Sequence, residues 1–119
     1  MALLTVQTVT STGITPAASV QITAWSGTGD TISGSDIGDR GVWVEVSNTS
    51  GGSLDFRVSD PGFTPASNPA ANGYTTVTVP TGQSRKVFVG RGNVDPASGV
   101  AKVGASTSNA AFTVAAFRY

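Results

Sequence analysis

The residues able to do chemistry are few, and the carboxylates among them collect in one loop. Asp30, Asp36 and Asp39 lie in the stretch Ser26 to Gly41, SGTGDTISGSDIGDRG. Hard cations take carboxylate and carbonyl oxygens, so this trio is a candidate calcium site. Its spacing does not follow the EF-hand ligand pattern, and the competing reading is a solvated Asp/Gly turn cluster. Asp36 and Asp39 would also supply the two carboxylates of a glycosidase-type dyad. The rest of the inventory argues against catalysis. The chain contains no histidine and no cysteine. The commonest general base is missing, and the Ser and Thr hydroxyls have no imidazole to activate them. Neither a thiolate metal site nor a disulfide framework is possible. No GxGxxG and no Gly-Lys-Ser/Thr element occurs to cradle a phosphate. We expect no enzyme activity, no cofactor and no bound metal.

Two further groups need weighing. Arg85, Lys86 and Arg91 form a small basic set, which reads more simply as a solvated strand end than as an anion site. Asn48-Thr49-Ser50 matches the glycosylation sequon, which has meaning only in a secreted chain. Met1 to Leu4 runs straight into polar Thr5 and Gln7, with no charged n-region and no long apolar run. The expectation is therefore no signal peptide. No window approaches the ~20 apolar residues of a membrane span. Seven Lys and Arg balance seven Asp and Glu, and no basic block exists. Neither nucleic acid nor a membrane is expected as a partner.

The elements that would position these residues read as strands. Val42, Val44 and Val46 share one parity in Gly41 to Asp60, GVWVEVSNTSGGSLDFRVSD, and Leu54, Phe56 and Val58 share one further on. Period two sends such sets to one face of a sheet, here the core face. Trp43, Glu45, Asp55 and Arg57 take the opposite face. Asn48 to Ser53 reads as a turn, so the stretch predicts a central hairpin. Leu3 to Val9, Ser19 to Trp25, Tyr74 to Val79, Arg85 to Val89, Val100 to Ala105 and Ala110 to Phe117 read as further strands. A short one is expected near Thr31 to Ser33. In Ser19 to Trp25, Val20, Ile22 and Ala24 fall on one face and Gln21, Thr23 and Trp25 on the other. Pro80 to Gln83 predicts a turn leading into a return strand. Pro61 to Gly73 holds three of the six prolines, shows no periodicity and is longer than most connections. No segment has helical spacing. The expected fold is all-β: a single β-sandwich or jelly-roll-like domain over residues 1–119, with about eight short antiparallel strands.

The aromatic residues carry more information than the charges. Trp25, Trp43 and Phe88 all fall off the core parity. Either the parity slips at a bulge, or that face packs under a loop, or it is a contact surface with other subunits or with carbohydrate. Charged residues are only 12% of the chain, about half the usual share. Such a surface does little to keep copies apart. The terminal segments Leu3 to Val9 and Ala110 to Phe117 carry neither charge nor proline, and are expected to offer free edges. The candidate interface residues are Leu3, Leu4, Val6, Trp25, Trp43, Phe63, Phe88, Phe117 and Tyr119.

Four segments also show a resemblance. MALLTVQTV at the start, VWVEVSN closing on a Gly/Ser turn, TVTVPTGQSR, and AAFTVAAFRY at the end resemble a group of small structural proteins encoded by tailed bacteriophages. The resemblance implies a virion component made in the host bacterial cytoplasm. The capsid decoration, or cement, role is the one it favours. It implies the major capsid protein and further copies of the chain as partners, a trimer being favoured. A tail, baseplate or head-fibre module and a carbohydrate-binding module are the alternatives. The loops Ser26 to Gly41 and Pro61 to Gly73 match no motif of that group.

Overall fold

The structure, a computed structural model, describes residues 3–10, 19–26, 29–61 and 73–118. The strands are β1 (Val6–Thr8), β2 (Val20–Gln21), β3 (Asp30–Ser33), β4 (Val42–Asn48), β5 (Leu54–Ser59), β6 (Tyr74–Val79), β7 (Gln83–Val89), β8 (Val100–Ala105) and β9 (Phe112–Arg118). One helical turn, α1 (Gly34–Ile37), follows β3. The first sheet runs β1-β9-β4-β7, with β2 also on β9; the second runs β3-β8-β5-β6. The fold is all-β and sandwich-like, as the alternation predicts. No helix among the described residues is long and apolar enough to cross a membrane.

The pairing differs from the sequence reading in three places. First, β4 and β5 lie in different sheets and are not a hairpin. The chain crosses between layers at Thr49 to Ser53. Asn48 makes that crossing possible. Its amide donates to Gly52 O at 2.9 Å and Val79 O at 2.8 Å, and its carbonyl accepts from Ser50 N at 2.9 Å. It is fully buried, so it is a structural keystone and not an exposed glycan acceptor. Second, β6 and β7 also lie in different sheets. Gly82, at φ 73, makes the crossing, and its N–H donates to Asn48 O at 2.7 Å. Third, β9 is not an edge. It pairs with β4 along one side and with β1 and β2 along the other. The β1–β9 pairing is parallel, so the strands are not all antiparallel.

The side of the sandwich nearest the N-terminus is closed by two crossing segments. Leu4 N donates to Thr31 O of the second sheet at 2.8 Å, and Val9 N to Arg118 O of the first at 2.7 Å. The segment after β2 makes the same passage. Ile22 N donates to Phe112 O at 3.0 Å, and Trp25 N to Ala105 O at 2.8 Å. Asp30, fully buried, fastens it by accepting from Thr23 N at 3.0 Å and Thr23 Oγ1 at 2.7 Å.

The core lies between the sheets. Val42, Val44, Val46, Phe112, Val114 and Ala116 face Phe56, Val58, Ala101, Val103 and Ala105, each at most 1% exposed. Leu54 is partly buried against them. Ile32 and Ile37 join the same core, although they come from a stretch that reads as a polar loop. Val20 is exposed and Ile22 buried, so the parity expected for Ser19 to Trp25 does not survive the end of β2 at Gln21.

Candidate functional site

The outer face of the first sheet brings together three of the predicted residues. Trp43 of β4 stands opposite Phe88 of β7 on one side and opposite Phe117 of β9 on the other. Gln7 of β1 continues the row beyond Phe117. Adjacent strands lie about 4.8 Å apart, so the three aromatic positions span about 10 Å. Trp43 is 39% exposed and Phe88 49%. Their rings meet edge to face with centroids 5.2 Å apart, the arrangement favoured by the ring quadrupoles.

Two glycines hold Phe88 in this position. A Cβ on Gly90 would lie 2.8 Å from the Phe88 ring, and one on Gly41 would overlap it. Gly41 also sits at φ 79, where L side chains are strained. The sequence reading missed both. Their signal is a glycine at the beginning of β4 and another at the end of β7.

Polar groups surround the row. Glu45 stands opposite Lys86, and Ser47 Oγ lies 2.8 Å from Ser84 Oγ. Asp39 accepts from Arg91 at 2.6 Å. Asp36 lies 3.5 Å from Arg118, which has the parity of core-facing Val114 and Ala116 and is not part of this rim. An apolar centre inside a polar rim is the usual anatomy of a protein contact surface. The ion pairs are exposed or half-exposed and add little stability.

These contacts also disperse the candidate metal ligands. Asp30 is turned to Thr23, Asp36 to Arg118 and Asp39 to Arg91. Among the described residues no group of acidic side chains converges. The small basic set is likewise divided between Ser84 O for Arg85, the facing Glu45 for Lys86, and Asp39 for Arg91.

The remaining predicted interface residues fall elsewhere. Leu3 is exposed, Leu4 is in the core and Val6 is packed against it. Phe63 and Tyr119 lie outside the described residues. Trp25 is off the core, as its parity suggests, but it is 8% exposed. It lies on the outer face of the second sheet, its ring 5.3 Å from that of Tyr74. Lys102 Nζ sits 4.2 Å from the Trp25 ring, and Arg57 Cζ 4.5 Å from the Tyr74 ring. This cation–aromatic stack was not legible in the sequence, because Tyr74 and Trp25 are far apart along it.

Comparison with known proteins finds no match to a protein-family model, to a curated protein or to a solved structure.

Proposed function

We propose that the chain is a non-enzymatic virion structural protein of a tailed bacteriophage. In this reading it is a capsid decoration protein. It binds the outer surface of the major capsid protein shell and stabilises it. It self-associates, three copies being the favoured number. The observation that carries the docking part of the reading is the Phe88–Trp43–Phe117 row on the outer face of the first sheet. Large aromatics half-exposed on a flat sheet are costly in water and productive in a contact. The virion part rests on the four segments that resemble phage structural proteins. The neutral, charge-poor composition agrees with both, because closely placed copies would not repel one another.

The test is the location and stoichiometry of the chain in purified particles. Copies distributed over the head shell support the proposal. Copies confined to the tail would replace it with a tail or baseplate role. A second reading draws on the exposure of Trp43, since a flat exposed indole also suits a sugar ring. Glycan binding abolished by Trp43→Ala, with no chain on the particles, would favour that carbohydrate module.

A further inference from the structure

The second sheet ends on β6, and among the described residues no strand pairs with its outer edge. An open edge presents unpaired N–H and C=O groups and templates another strand unless something blocks it. Two other edges of the molecule are guarded. β7, the end of the first sheet, carries Lys86 on its outer face and Arg85 on the same parity as core-facing Val87 and Val89. Charges on an edge, above all inward-pointing ones, oppose strand addition. β3, the other end of the second sheet, has Leu3 and Leu4 laid against it. β6 reads Tyr-Thr-Thr-Val-Thr-Val, with no charge, no proline and mostly exposed positions. Its β-branched residues suit a pleated strand.

We propose that β6 is a homotypic pairing edge. It joins β6 of a second copy in antiparallel fashion about a local two-fold axis, making one continuous sheet from two second sheets. Geometry restricts the register. A two-fold axis places residue i against j and j against i. Residues directly opposite in an antiparallel pair share a face, so i and j must have the same parity. The axis therefore passes beside a residue. Placing it at Thr76 sets Thr76 against its own mate, Thr75 against Val77 and Tyr74 against Thr78, and leaves buried Val79 and Pro80 outside the contact. No charge meets a like charge in this register. A single strand pair falls below the ~1,000 Å² of a firm interface. The dimer is therefore weak in solution and strengthened wherever copies are held side by side. The inference goes beyond the proposed function: a two-fold contact joins copies in pairs and does not itself build a trimer, and it needs no capsid to operate.

Sedimentation velocity of the intact chain over rising concentration tests it. Wild type should move from monomer towards dimer by about 1 mM. Thr76→Lys sets like charges at the axis and should stay monomeric, with unchanged far-UV circular dichroism because Thr76 is exposed. The chain has no cysteine, so Thr76→Cys can cross-link only to its own mate. It should form disulfide dimers at least ten times faster than Ser84→Cys on β7. A wild-type chain still monomeric at about 1 mM would overturn the inference. So would a Thr76→Lys variant that dimerises like wild type, or equal cross-linking at the two positions. These measurements use no particles, so their failure leaves the particle-binding proposal to its own test.

Discussion

Gly104 lies directly against the backbone of Trp25: a Cβ at Gly104 would be 2.9 Å from Trp25 Cα and 3.0 Å from Trp25 N. This is the point where the segment after β2 reaches the second sheet. Only a residue without a side chain allows so close a passage.

Gly104→Ala should therefore displace that segment. The obstruction is backbone, which cannot rotate away, so a loss of about 1–3 kcal/mol is expected. Urea unfolding measures it. In a Trp43→Phe background, Trp25 emission should also shift to the red as the indole leaves its buried position. A neutral substitution would show that the passage is looser than these distances.

Phe56 is fully buried between the sheets. Phe56→Ala should cost about 3–5 kcal/mol, the range for an aromatic deleted from a packed core. A loss under about 1 kcal/mol would mean that the sheets do not close on this side chain.

Asn48→Ala removes both amide donors that reach Gly52 O and Val79 O. The buried bond to Val79 O is the costly one to lose, about 1–3 kcal/mol, whereas Gly52 O still accepts from Ser50 Oγ at 2.9 Å. Asn48→Asp should be nearly as harmful, since a carboxylate cannot donate to either carbonyl. Equilibrium unfolding of the two variants checks this. An aspartate as stable as wild type would contradict the keystone role.

Lys102 gives a prediction with a sign. Its Nζ donates to Trp25 O at 3.0 Å, yet burial pushes its pKa below the ordinary 10.5. When the folded pKa is lowered, the unfolded chain holds the proton more tightly. Stability then rises with pH through the window just below 10.5. The unfolding free energy of wild type minus that of Lys102→Met should therefore increase as pH rises towards 10.5. A decrease would mean that the carbonyl and the indole hold the ammonium better than water does.

How far the fold was legible depends on which question is asked. The β4 stripe was plain, because Val42, Val44 and Val46 alternate with Trp43 and Glu45, and period two maps directly onto faces. Partnership was not. Thr49 to Ser53 can close a hairpin or cross between layers, and the burial of Asn48 decides between them. Ile32 and Ile37 were hidden because single apolar residues in a Gly/Ser/Asp stretch have no period to report. The aromatic row was half legible. Parity put Trp43 and Phe88 off the core, but register across β7, β4 and β9 comes from pairing between strands that are not neighbours in sequence. Parity also put Trp25 off the core, but it could not show that Tyr74 and Lys102 cover the ring.

The central claim is that the Phe88–Trp43–Phe117 row is the docking surface. Its most direct test is the occupancy of the Trp43→Ala, Phe88→Ala double variant on particles that lack the wild-type chain. Both side chains are well exposed, so the variant should keep its fold. Loss of two aromatic anchors of about 2 kcal/mol or more each should lower affinity by a factor of about 1,000. The account predicts full occupancy for wild type and almost none for the double variant at the same concentration. A folded double variant that fills the particles like wild type would contradict it.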